Sequence, residues 1–226
     1  MTYQGPAADC PICPRLVDYR RANQAANPTW FNGAVPSFGP LDARVLVVGL
    51  APGVRGANRT GRPFTGDFAG VLLYETLIAY GFATGTYGAD AADGVALHDC
   101  RVTNAVRCVP PGNLPTPAEI GGCNPFLTRE LAAMKRLRIV LALGGVSHKA
   151  VLRARGLRAS HVPFVHGAVH ELPEGLMLVD SYHVSRLNTN TGRLTVPMFQ
   201  AVVADILARL NQDTLTPVSE AGGVSL

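Results

Sequence analysis

Four short stretches of the chain are predominantly apolar and rich in β-branched residues: 44–49 (RVLVVG), 98–106 (HDCRVTNAV), 138–143 (RIVLAL) and 176–182 (LMLVDSY). Runs this short predict strands buried on both faces rather than half-exposed ones. Segments with helical signals lie between them. Asp67 is placed to cap a helix over 68–80, with Gly81 stopping it. Thr116, Pro117 and Glu119 form a capping-box start for a helix running to about Leu137. Two more helices are predicted over 147–155, stopped by Gly156, and over 195–210. Residues 83–96, rich in Gly, Ala and Asp, read as a loop. Strands alternating with helices predict an α/β fold, a three-layer α/β/α sandwich around a parallel sheet. One domain is expected over 1–210, with a mobile polar tail over 211–226. In such sheets, ligands bind beyond the carboxyl ends of the strands. That picks out three loops: after Gly49, around Asn104 and after His183.

Composition narrows the class. Hydrophobic residues make up 47% of 226, enough for a real core. No run approaches about 18 apolar residues, which excludes a simple membrane helix. The start, MTYQGPAADC, lacks the basic-then-apolar pattern of a secretory signal, so a cytoplasmic protein is expected. The net charge of +4 permits nucleic acid as a partner without requiring it. Of the twenty basic residues only Lys135 and Lys149 are lysine, and Arg55, Arg59, Arg62, Arg107, Arg186 and Arg193 lie in or beside the three candidate loops. Arginines so placed suit phosphate, although an arginine-rich composition scatters them everywhere.

Five cysteines in a cytoplasmic chain point to metal or catalysis rather than disulfides. Cys10 and Cys13 form C-x2-C. Cys108 and Cys123 form C-x14-C across a proline-rich loop. Four thiolates fit a tetrahedral zinc or a [4Fe–4S] cluster, and the single tight pair favours iron–sulfur without deciding it. Cys100, inside a strand candidate, reads as core. The loop GLAPGVRGANRTGRPFTGD is neither a P-loop nor a dinucleotide fingerprint. Within it Phe64 either stacks on a base or packs under the loop. Asn104 offers a donor and an acceptor in one plane, suited to a pyrimidine edge, or serves a turn. His183 ends an apolar strand ahead of a polar loop containing Ser185, Arg186, Asn188 and Arg193. His161, His166 and His170 lack an acidic or cysteine partner at helical spacing, which argues against a metal there.

Taken together, GLAP…NRTGRPFTGD, TNAVRC-x-PP-x-N-x-PTP and HVSRLNTNTGRLT resemble the uracil-DNA glycosylase superfamily, and within it family 5, the UDGb type. Family 4 is the near neighbour, but its first motif carries an acidic residue where this chain has Leu50. The resemblance spans roughly residues 10–205. It implies a four-stranded parallel sheet between helices and a structural [4Fe–4S] cluster on Cys10, Cys13, Cys108 and Cys123. It places Phe64 on the flipped base, Asn104 at the base edge, His183 near the base O2, and Gly49, Ala51, Gly53 and Asn188 around the pocket. Leu187 becomes a wedge into the duplex, and Arg59, Arg62, Ser185, Arg186 and Arg193 become DNA contacts. Ala51 stands where many relatives position a water, and Gly53 where alanine is common. Asp67 is then the nearest carboxylate, with helix capping its equally good alternative role. The implied activity is hydrolysis of the uracil N-glycosidic bond, extended to hypoxanthine, leaving an abasic site in double-stranded DNA during base excision repair. A monomer without membrane contact is expected. Competing readings are a uracil-restricted family 4 enzyme, a non-catalytic nucleic-acid-binding module with a structural metal, and a redox protein.

Overall fold

The computed structural model describes residues 3–213. In chain order the main elements are α1 (Pro14–Ala26), β1 (Val45–Gly49), α2 (Ala57–Thr60), α3 (Phe68–Ala79), β2 (Ala83–Thr84), β3 (Ala96–Leu97) and β4 (Cys100–Asn104). They continue with α4 (Pro117–Ala133), β5 (Ile139–Leu143), α5 (Gly145–Ala154), β6 (Val169–Glu171), β7 (Met177–Ser181), α6 (Arg186–Asn190) and α7 (Val196–Asp213). The main sheet has the order β4-β1-β5-β7-β6. The first four strands pair in parallel, as the apolar runs predict.

Alternate side chains leave the two faces of this sheet. Val47, Val102, Leu141 and Val179 pack with Leu73, Leu77, Phe199 and Val203 of α3 and α7. Leu46, Val48, Val140 and Leu178 pack with Leu127, Leu131, Val151 and Leu152 of α4 and α5. Three layers follow from that alternation.

Several elements differ from expectation. A fifth strand, β6, joins the edge antiparallel to β7. Residues 83–96 are not simply a loop, because β2 and β3 pair antiparallel and close a small hairpin. The helix α1 was not visible as a periodic pattern, because its buried face is Leu16, Arg20 and Asn23, two of them polar. The capping box at Thr116 and Glu119 forms as predicted, but α4 ends at Ala133. The next residues turn so that the Arg138 and Ile139 N–H groups both reach the Arg44 carbonyl, which starts β5 beside β1. Residues 211–213 extend α7, and the rest of the expected tail lies outside the described residues.

A buried ion-pair network ties the second helical layer to the sheet. Glu130 of α4 is fully buried and accepts from Arg101 Nε at 2.6 Å and from the Arg107 guanidinium. Arg107 Nη1 also donates to Ser37 Oγ at 2.6 Å, and Ser37 in turn meets Thr103 Oγ1 at 2.9 Å. Removing one partner of such a set leaves uncompensated buried charge and costs about 3–5 kcal/mol. Glu130→Ala is therefore expected to lower Tm by on the order of 10 °C. Thermal unfolding followed by circular dichroism checks this, and a fall of under 2 °C would contradict it.

Candidate active site

The carboxyl ends of β1, β4 and β7 open onto one small cavity, lined by Ala51, Pro52, Gly53, Ala57, Phe64, Asp67, Ala69, Asn104 and His183. Phe64, Asn104 and His183 come from three separate segments and meet there, as the sequence suggests. Their approach is close. A Cβ on Gly49 would stand 2.3 Å from Phe64 Cζ and 2.4 Å from Asn104 Oδ1, so only glycine lets this strand end lie against both.

Phe64 is held in an uncommon conformation. Its φ of 54° is in the left-handed region, which costs a non-glycine residue energy. The Tyr87 hydroxyl donates to its carbonyl at 3.1 Å, and Gly70 of α3 lies so close that a Cβ would meet that carbonyl oxygen. The ring forms a wall of the cavity, its centroid 5.9 Å from that of His183 at an interplanar angle of 30°. Packing under the loop and facing the cavity are thus the same placement.

Two of the polar groups at the cavity, Asn104 and His183, are uncommitted. Asn104 is only 3% exposed, and its amide makes no side-chain hydrogen bond among the described residues. The His183 imidazole has no hydrogen-bond partner among them either. Burial pushes its pKa down to about 4, so the ring is neutral at pH 7. Two polar side chains without a protein partner that open onto a single cavity are free to meet a ligand there. Asp67 serves two purposes. Its Oδ1 accepts the Ala69 N–H at 3.2 Å, capping α3. Its Oδ2 faces the first loop, where Cβ atoms on Gly53 and Gly56 would approach to 2.9 and 2.2 Å. Burial raises its pKa above the usual carboxylate value.

The remaining expected site residues divide. Leu187 projects from α6 with 72% of its surface exposed. Arg186 is exposed and lies over Phe68, and Arg193 lies over the Tyr182 ring at 4.6 Å. Arg59 is half-buried, its Nε donating to the Arg55 carbonyl at 3.0 Å. Ser185 caps α6 by accepting the Asn188 N–H. Asn188 does not line the cavity. Its amide donates to the His183 carbonyl at 2.8 Å and fixes the strand end that carries the imidazole.

Arg62 is not available to DNA. It is 5% exposed, pairs with both oxygens of Asp93 at 2.8 and 2.7 Å, and lies over the Phe38 and Tyr74 rings. It fastens the 85–95 segment to the Phe64 loop. Pro52, Ala57 and Ala69 line the cavity without having been singled out, because small apolar residues carry no chemical signature. On β7, Asp180 joins His148 Nδ1 at 2.7 Å and His170 Nε2 at 3.0 Å. His170 does gain an acidic partner, but through the fold rather than through helical spacing.

Cys10, Cys13, Cys108 and Cys123 converge on a second hollow, lined also by Ile12, Leu16 and Phe126. The four could hold a metal centre. Burial holds the Cys108 thiol up to about 12, with the other three sulfurs adding to the rise, so a positively charged centre is needed to keep Cys108 as a thiolate. Cys100 lies fully buried in β4, apart from them.

The family model for the uracil DNA glycosylase superfamily matches residues 36–207. The chain belongs to this superfamily. A type-5 uracil-DNA glycosylase of Thermus thermophilus is 44% identical over 201 residues, covering 87% of this chain and 91% of that protein. One of Mycobacterium leprae is 43% identical over 205 residues, covering 87% and 89%. A type-4 uracil-DNA glycosylase of Pyrobaculum aerophilum is 34% identical over 164 residues, covering 72% and 69%. Within the superfamily the motifs and these identities agree on the type-5 branch.

For this superfamily member the neutral imidazole has a direct consequence. An unfolded histidine takes up a proton near 6.5, whereas His183 does so near 4. The unfolded state therefore binds more protons between these values, and this contribution to stability is complete above pH 6.5 and declines as pH falls toward 4. NMR titration of the His183 ring is expected to give a midpoint near 4. A midpoint at 6 or above would contradict the partly buried, unpaired environment.

Proposed function

We propose that this protein removes uracil from double-stranded DNA by hydrolysing its N-glycosidic bond, leaving an abasic site for base excision repair, and that it accepts hypoxanthine as well. It acts as a monomer in the cytoplasm. Among the described residues no helix is long and apolar enough to cross a membrane. The observation that carries the reading is the pair of unpartnered groups, the Asn104 amide and the His183 imidazole, facing one cavity walled by the Phe64 ring.

A base inside the stack hides its glycosidic bond, so the nucleotide must swing out. Leu187, exposed on α6, fills the vacated space. Arg59, Arg186 and Arg193 face the phosphates, and Ser185 holds α6 in register with them. The extruded ring stacks on Phe64 and meets the Asn104 amide, which presents both a donor and an acceptor to the ring edge. As the bond stretches, negative charge gathers on the base. A neutral His183 can donate one N–H to the oxygen where it collects, without bringing a full positive charge to the substrate before reaction. A preorganised donor of this kind contributes roughly 3–4 kcal/mol. Asp67 Oδ2, turned toward Gly53 and Gly56, holds the attacking water. The bare Gly53 leaves room beside it.

Cys10, Cys13, Cys108 and Cys123 hold a [4Fe–4S] cluster in this reading. Four cysteines lining one hollow are a donor set that suits this group. When bound, it supplies iron–thiolate cross-links and no electron to the excision. Those bonds would join the N-terminal segment to the loop after β4 and to the second turn of α4.

Duplexes carrying uracil or hypoxanthine, incubated with the protein and then cleaved with alkali at abasic sites, test the reading. Uracil release is expected, with His183→Ala slower by about a hundredfold while duplex affinity changes less than threefold. No release from uracil duplex overturns the enzyme assignment. Release from uracil alone removes hypoxanthine. Wild-type turnover in His183→Ala removes the role given to the imidazole.

A further inference from the structure

We propose that Arg20 is the buried counter-cation of the metal group held by the four cysteines. The inference rests on the cofactor reading above and extends it to a residue outside the cysteine set.

Arg20 lies on the inward face of α1, the helix that Cys13 caps, and is 5% exposed. Its Nη1 donates to the Ala8 carbonyl and its Nη2 to the Cys10 carbonyl at 2.7 Å. Its Nε is buried with no hydrogen-bond partner. The other buried arginines each have a carboxylate. Arg62 has Asp93, and Arg101 and Arg107 share Glu130. Arg20 alone among them forms no ion pair within the described residues. A buried, unpaired guanidinium with an orphan N–H is costly, and such a charge persists only where something opposite faces it.

The cysteine sulfurs are that something. The Nη2 bond to the Cys10 carbonyl, and the place of Arg20 on the helix that Cys13 caps, set the guanidinium beside the segment that carries two of the four sulfurs. Nearby charges are otherwise spent: Glu119 is paired with Arg15, and Arg107 with Glu130. Four thiolates around an iron–sulfur core carry a net negative charge, and both net charge and hydrogen bonds to sulfur set the potential of such a centre. Arg20 supplies the compensating charge, a free N–H, and the two carbonyl contacts that fold residues 8–10 around the group.

The test uses the full chain, reconstituted anaerobically, as wild type and as Arg20→Met, Arg20→Gln and Arg20→Lys. Three quantities are read: iron and acid-labile sulfide per chain, the rate of iron loss to a chelator, and the midpoint potential. The neutral variants are expected to lose iron at least tenfold faster. Their reduction equilibrium should move at least tenfold against the reduced form, about 59 mV for one electron. Arg20→Lys keeps the charge and should hold the potential within threefold of wild type on the same scale. A neutral variant that folds, by circular dichroism, but takes up no iron is the extreme of the expected loss. Wild-type iron retention and potential in a neutral variant overturn the proposal while leaving the cofactor reading intact. If neither neutral variant folds, Arg20→Lys decides. A potential within threefold of wild type then supports the charge, and a tenfold shift overturns it. A wild type that takes up neither iron nor sulfide overturns both readings.

Discussion

At Gly49 the end of β1 touches the Phe64 ring and the Asn104 amide at once, with less room than a single methyl group would need. That close approach sets the dimensions of the cavity. Phe64 meets it from a left-handed backbone, held by its surroundings: the Tyr87 hydroxyl on its carbonyl, Gly70 beneath it, and the Arg62–Asp93 pair that secures the 85–95 segment. Elements that do not touch the cavity thus determine its shape. Ala51 extends the same logic, since it lines the cavity and also packs against the cysteine cluster. The cysteine corner and the candidate active site share a wall.

Much of the sheet was readable in advance because its strands are buried on both faces, and burial on both faces forces near-continuous apolar runs such as VLVVG and IVLAL. The edge strand β6 was not readable. Val169, His170 and Glu171 are only three residues long, and none is fully buried, so neither a run nor an alternation stands out. Helix α1 was hidden for a related reason, its inward face being mostly polar and organised around Arg20 and the cysteine segment rather than an aliphatic core.

At the site, residues at strand ends were legible because topology alone places them. Asn104 ends β4 and His183 follows β7 closely. Roles that depend on a distant partner were not. Arg62 reads as a phosphate ligand until Asp93, 31 positions away in an apparent loop, is brought beside it. Asn188 lies in the right segment, yet its amide turns back to the His183 carbonyl. Asp67 could be read as a cap or as a pocket carboxylate, and its two oxygens divide the tasks. The chemical types were legible in each case, whereas the direction of each side chain depended on long-range packing.

The central claim is that the bare Gly49 backbone, the Phe64 face and the Asn104 amide together form a slot for one everted base. Single-turnover release of uracil by Gly49→Ala, compared with wild type, tests this most directly. The account predicts a folded protein whose release rate falls at least a hundredfold, because the added methyl drives Phe64 and Asn104 apart. A folded Gly49→Ala protein releasing uracil at the wild-type rate would show that the slot is not where the base binds.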